Sequence, residues 1–206
     1  MTTEILRCGW TGGRELDTIY HDNEWGVPLH DDRKHFEFIL LDGFQAGLSW
    51  STILKKRENF RTAFDNFLPE IIAEYPEAKL NELMNDSGII RNKLKIVSSV
   101  TNAGAFIKIQ KEFKTFDNYI WQFTDGKTKI NTWKTMRDIP ARTPESDAMS
   151  KDLQKRGFKF VGSTICYAYM QAAGMVNDHL IECFRYSEVA AATKQNVQTN
   201  RVILSS

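Results

Sequence analysis

Apolar residues recur three and four positions apart through most of the chain, as at Phe36, Ile39 and Leu40 and again at Ile53, Leu54, Phe60 and Phe64, while sustained alternation is scarce. The pattern predicts a mainly α-helical, all-α fold. Further helices are expected over 78–86, 91–110, 114–123, 144–156, 163–174 and 178–185. Thr143-Pro144 places an N-cap hydroxyl before a proline at the first helical position, and Gly157 and Gly174 sit where helices should stop. Residues 125–142, opening on Asp125-Gly126, read as a longer connection between two groups of helices. Beyond Tyr186 the chain turns polar and alanine-rich without a clear apolar face, so 188–206 reads as a flexible tail. No linker or internal repeat divides residues 1–187, which are expected to form a single domain of two helical lobes.

With 206 residues and 42% hydrophobic content, the chain can bury a substantial core without disulfides. Its charges nearly cancel at net +1, so a nucleic-acid partner would have to be met by a local basic face. No apolar run suits a signal peptide or a membrane span of about 20 residues, and a cytoplasmic protein is expected. Three cysteines do not make a disulfide framework, and Cys166 reads as a small core residue.

The other two cysteines change the picture. Cys8 and His21 near one end, with His179 and Cys183 near the other, make up a Cys₂His₂ set. His179-x3-Cys183 would put two ligands one helical turn apart, whereas Cys8-x12-His21 would be a turn or loop pair. Spacing alone leaves two readings open: a shared metal site tying the two ends together, or a buried cysteine and two ordinary histidines. Four protein ligands leave no position for water, so a metal held there would be structural.

Trp10, Trp25 and Trp50 fall in the N-terminal quarter together with Tyr20 and Phe44. Such a density suits either an aromatic core or a pocket whose rings stack on a planar, cationic ligand. Asp42 is the one acid in the apolar run from Phe38 to Trp50. It either bonds to backbone amides at a helix end or waits for a cationic ligand, since burial alone would raise its pKa. Gly43 and Gly47 imply sharp turning or close approach, and Leu48 can serve as an exposed wedge into stacked bases. The run Asn85 to Lys93 reads as a helix-hairpin-helix turn at Gly88. That turn would aim backbone N–H groups at a phosphate, with Arg91, Lys93 and Lys95 nearby for charge, or else it is an ordinary connection. Lys151, Lys155, Arg156 and Lys159 form a second basic group, either a phosphate-facing surface or merely exposed helix, and Lys55-Lys56-Arg57 reads as solvated. No P-loop, dinucleotide-binding or nucleophile-elbow motif is present.

Several motifs occur together in order: Arg7-Cys8-Gly9-Trp10, the run Tyr20 to Pro28 (YHDNEWGVP), Gln45 to Trp50 (QAGLSW), Gly88-Ile89-Ile90-Arg91, Lys155 to Gly162 (KRGFKFVG), and Asn177-Asp178-His179 through Cys183. Over residues 7–185 this set closely resembles the 3-methyladenine DNA glycosylase I family, one of the helix-hairpin-helix DNA glycosylases. The resemblance implies that architecture, with one structural Zn²⁺ per chain on Cys8, His21, His179 and Cys183 joining the N- and C-terminal regions. It also implies a base-excision repair enzyme acting on double-stranded DNA that contains alkylated adenine. Such an enzyme flips out N3-methyladenine, hydrolyses its N-glycosidic bond, and leaves an abasic site and free 3-methyladenine.

In that scheme Asp42 reads the base edge and works with Tyr20. Trp10, Trp25, Phe44 and Trp50 bind the base, and Gly47, Leu48, Gly88, Arg91 and Lys93 meet the DNA. The family's best-known members carry glutamate where this chain has Asp42 and glutamine where it has Phe44, which bears on rate and lesion range. The implied enzyme is monofunctional, because a lyase would need a lysine nucleophile and Lys93 is more simply a phosphate contact. The rival readings are a non-catalytic reader of alkylated DNA, favoured by the change to Asp42, and a zinc-stapled scaffold, which leaves the aromatics and the hairpin unexplained. With no heptad pattern, a monomer is expected.

Overall fold

The computed structural model describes residues 5–192. Its helices are α1 (Glu15–Asn23), α2 (Asp32–Gln45), α3 (Trp50–Ala63), α4 (Pro69–Ile72), α5 (Glu77–Asn85), α6 (Lys93–Phe113), α7 (Phe116–Ile120), α8 (Pro144–Lys155) and α9 (Ser163–Ala172). A last helical segment covers 184–192 and buries Val189. It takes in the first residues of the segment read as a tail; 193–206 lie outside the described residues. Two-residue strands β1 (Lys129–Ile130) and β2 (Val176–Asn177) pair in parallel, Lys129 opposite Val176. None of the described helices is long and apolar enough to cross a membrane.

The central element is α2, whose residues from His35 through Phe44 are all buried. It packs against α3, α6, α7 and α9, and the buried side chains form one continuous cluster from Cys8 to Cys183. Local signals explain several boundaries. Asp31 caps α2 by accepting from the Lys34 amide, and Ser49 does the same for α3 through Thr52. Thr143 and Ser146 exchange side-chain to backbone bonds in a capping box at the start of α8, with Pro144 at the first helical position.

Two sequence expectations are corrected. Residues 178–183 are not helical: His179 and Cys183 lie in an irregular turn, and the helix starts only at 184. His21, expected in a turn or loop, lies on α1. The reason is tertiary. Val176 and Asn177 are drawn into the pairing with β1, and the chain then wraps around the thiols of Cys8 and Cys183, with the Leu180 amide donating to Cys8 Sγ.

Gly174 ends α9 at φ +65°, beside the 26–29 segment, which donates from Gly26 to the Gln171 carbonyl and from Leu29 to that of Ala173. A Cβ on Gly174 would fall 2.3 Å from the carbonyl carbon of Val27 and 2.4 Å from the nitrogen of Pro28. With backbone on both sides nothing can swing away. Gly174→Ala is expected to cost at least about 3 kcal/mol of stability, seen as a lower urea midpoint with an unchanged slope.

Candidate functional site

Helices α1, α2 and α9, the start of α3, and the connection before α8 enclose a cavity of about 370 Å³. Trp10, Tyr20, Trp25 and Trp50 line it, as the sequence suggested. Tyr20 lies edge-on to Trp10 at 6.3 Å and tilted against Trp50 at 5.3 Å, and Trp10 meets Trp25 at 5.3 Å. These contacts fix the rings around an open space instead of stacking them on one another.

Asp42 also lines the cavity and is 2% exposed. Among the described residues its Oδ2 has no hydrogen-bond partner, and neither do the buried indole nitrogens of Trp10 and Trp50. The helix-end reading of Asp42 is therefore set aside. Burial pushes its carboxyl well above the ordinary carboxylate range, and burial likewise raises the Tyr20 phenol, with the Asp42 charge adding to the effect. Two donors and one acceptor at this aromatic cavity thus lack partners among the described residues, which is uncommon for buried polar atoms.

Phe44 is a correction. It does not line the cavity but sits 2% exposed in the core, 4.8 Å from the Phe60 ring and 5.8 Å from that of Phe64. Two residues along a helix turn the side chain by about 200°, so a face that aims Asp42 at the cavity aims Phe44 away from it. Gln45, three residues after Asp42, shares its face and lines the cavity instead.

Gly47 takes φ +85° in the loop after α2, and Leu48 projects from that loop 42% exposed. Arg91 and Lys93 are exposed beside Gly88 in the turn joining α5 to α6. Three other basic residues are used differently from expectation. Lys95 is buried and donates to the carbonyls of Phe44 and Ala46 at 2.9 and 2.8 Å, capping the end of α2. Arg57 is not solvated but bonds both Glu24 and Glu37. Arg156 is held by Asp152 and Glu112 over the rings of Phe113 and Tyr119. The Gly88 amide is also taken, by Asp86 Oδ1 at 2.7 Å.

Cys8, His21, His179 and Cys183 come together, all buried, with their ligand atoms within 4.8 Å of one another, so the cluster can hold a metal ion. Cys183 Sγ lies 3.4 Å from His21 Nε2 and 3.6 Å from His179 Nδ1, and Cys8 Sγ lies 3.7 Å from that Nδ1. The remaining ring nitrogens are anchored: His21 Nδ1 on Asp22 at 2.8 Å and His179 Nε2 on the Trp25 carbonyl at 3.0 Å. A hydrogen bond from Cys8, with smaller help from His179 and His21, lowers the Cys183 thiol. The cluster adjoins the cavity, since Trp10 and Trp25 flank His21 at 5.5 and 6.1 Å. Cys166 is buried and its thiol is pushed up to about 12, mainly by burial, as suits a core residue.

Sequence reasoning missed part of the cavity. Tyr167 and Gln171 on α9 line it, and Met136, Ile139 and Pro140 come from the connection that had no predicted role. The spacing of Tyr167 and Gln171, one helical turn, was the available signal.

The described helices thus carry an aromatic cavity into which Asp42, on α2, brings a buried carboxyl group. The family model described as methyladenine glycosylase matches residues 10–186, and the chain belongs to this family, the 3-methyladenine DNA glycosylases I. It is 48% identical to DNA-3-methyladenine glycosylase 1 of Escherichia coli (strain K12) over 180 residues, 87% of this chain and 96% of that protein. A crystal structure of 3-methyladenine DNA glycosylase I (TAG) matches with a TM-score of 0.85 at 49% identity, covering 87% of this chain and 98% of that one. The Staphylococcus aureus enzyme, whose structure concerns 3-methyladenine recognition, matches with a TM-score of 0.84 at 32% identity, covering 86% and 95%.

Proposed function

We propose that this protein excises N3-methyladenine from double-stranded DNA by hydrolysing the bond between base and deoxyribose, as a monomeric, monofunctional glycosylase. The observation that carries the reading is the buried Asp42 Oδ2, without a partner among the described residues, at the aromatic cavity. An N3-methylated adenine in DNA is cationic and bears an exocyclic amine, so it offers the charge and the N–H donor that Asp42 lacks. The rings of Trp10, Tyr20, Trp25 and Trp50 line the same cavity, and the negative face of an aromatic ring favours a cationic one. The volume suits a flipped purine, within the usual range of about 300–1,000 Å³ for small-molecule sites.

The C1′–N9 bond breaks with its electron pair on N9, and the cationic base leaves neutral. Water adds its oxygen to C1′ and gives up a proton. Because the leaving group is already activated, extrusion and electrostatic recognition supply most of the catalysis, and no strong general acid is needed.

The α5–turn–α6 unit is read as the helix-hairpin-helix. The Gly88 amide is occupied, so phosphate contact falls to Arg91, Lys93 and the N-terminus of α6. Leu48 fills the gap in the stack. Zinc is the ion we assign to the cluster. Zn–S near 2.3 Å and Zn–N near 2.05 Å make a tetrahedral S···N edge of about 3.6 Å. The three thiol to imidazole distances above lie at 3.4, 3.6 and 3.7 Å. Donation from His21 Nδ1 to the Asp22 carboxylate and from His179 Nε2 to the Trp25 carbonyl sets each ring's tautomer for that role.

Release of 3-methyladenine from methylated DNA tests the enzyme; intact DNA after prolonged incubation, with tight binding, would make it a reader instead. Borohydride should trap no covalent complex. Leu48→Ala is expected to slow release about tenfold or more without moving the melting temperature, because its side chain is exposed in the free protein.

A further inference from the structure

The connection between β1 and α8 supplies Met136, Ile139 and Pro140 to the cavity yet contains no helix of its own. Something must hold it. Three backbone bonds zip its first part along the 175–181 segment: Lys129 N–H to the Met175 carbonyl at 3.0 Å, Asn131 N–H to Asn177 at 3.2 Å, and Ile181 N–H to Trp133 at 3.0 Å. Between the two segments lies Asp178, 1% exposed. Its Oδ1 accepts from Asn131 Nδ2 at 2.6 Å and from Trp133 Nε1 at 2.8 Å. Its Oδ2 accepts from the Tyr167 hydroxyl at 2.6 Å and from Gln171 Nε2 at 2.8 Å.

The four donors come in two pairs. Asn131 and Trp133 belong to the connection, while Tyr167 and Gln171 stand on the face of α9 that lines the cavity. We infer that Asp178 is a positioning residue that fixes the apolar wall around Met136 and Ile139 against α9, and so sets how large an N3-alkyl group the base pocket accepts. The inference rests on reading the cavity as the base pocket. Each of the two carboxyl oxygens accepts two hydrogen bonds from the protein, so all four places are filled. Asp178 therefore does not touch the base. Asparagine has the same shape, but its amide must turn N–H groups toward one of the donor pairs, which breaks the tie between wall and helix.

The test uses the full-length protein and two variants. Trp133→Phe keeps an aromatic ring, though a smaller one, and removes the indole donor, and Asp178→Asn breaks one side of the carboxylate. Affinity for free 3-methyladenine is measured by calorimetric titration, and kcat/KM is compared on DNA carrying N3-methyl- and N3-ethyladenine, with bound metal quantified in each protein. Expected are a loss of affinity of about three- to tenfold for Trp133→Phe and more for Asp178→Asn. The preference for methyl over ethyl should shrink in both, because a looser wall admits the larger group. A merely structural bond would lower the melting temperature and leave that preference unchanged, and this result would overturn the inference. Should Asp178→Asn fail to fold, Trp133→Phe decides alone. Failure of the wild-type protein to bind 3-methyladenine would instead strike at the base-pocket reading.

Discussion

Asp42→Asn is expected to weaken binding of 3-methyladenine by about 10- to 100-fold and, at the same time, to make the free protein harder to unfold at neutral pH. The first effect is the loss of a charge-assisted hydrogen bond from a buried carboxyl group in the aromatic cavity, worth about 1.5–3 kcal/mol. The second follows from the carboxyl being buried without a partner for Oδ2. Its folded pKa lies above the unfolded value of about 3.9. Below the unfolded value both states carry the proton and nothing is lost. Between the two values the unfolded chain has released its proton while the folded one holds it, so stability falls by about 1.4 kcal/mol for each pH unit of that window. Above the folded value the loss stops growing. Asparagine has no such term. The melting temperatures of wild type and variant should therefore diverge as pH rises from about 4, with the variant higher, and saturating 3-methyladenine should narrow the gap. If the two proteins melt in parallel across pH, Asp42 is not the strained group that the cavity implies.

The sequence made some of this arrangement readable, and the reasons are physical. Trp10, Tyr20, Trp25, Asp42 and Trp50 were legible because a lone acid amid apolar residues and a local excess of large rings are visible one residue at a time. Phe44 was misplaced because the resemblance was carried by position, while the helix period of α2 turns neighbouring residues to different faces. The failed helix over 178–185 and the missed cavity wall share a cause: both segments take their shape from pairing with distant chain. Residues 129–133 are held by 175–181, and neither stretch has periodicity of its own to report that. Arg57 and Arg156 read as exposed charge because their carboxylate partners, Glu37 and Glu112, lie 20 and 44 residues away.

Stripping metal from the Cys8, His21, His179 and Cys183 cluster is expected to lower the melting temperature by about 10 °C or more and to loosen base binding together with it. The four ligands come from both ends of the described chain, so the ion closes a loop of more than 170 residues between Cys8 and His179. Without it, Cys8 and Cys183 remain buried beside two imidazoles with one thiol hydrogen-bonded to the other. A loss of about 3–5 kcal/mol in a domain of this size corresponds to a shift on that scale. The coupling to the pocket is direct. His179 holds the carbonyl of Trp25, Tyr20 precedes His21, and Trp10 follows Cys8 by two residues, so three rings of the cavity hang from the cluster. Cys183→Ala should reproduce the effect of chelation on both melting and affinity, and adding chelator to that variant should change neither further. Melting and titration of demonstrably metal-free protein decide the matter: unchanged curves would reduce the cluster to buried thiols and histidines that pack without an ion.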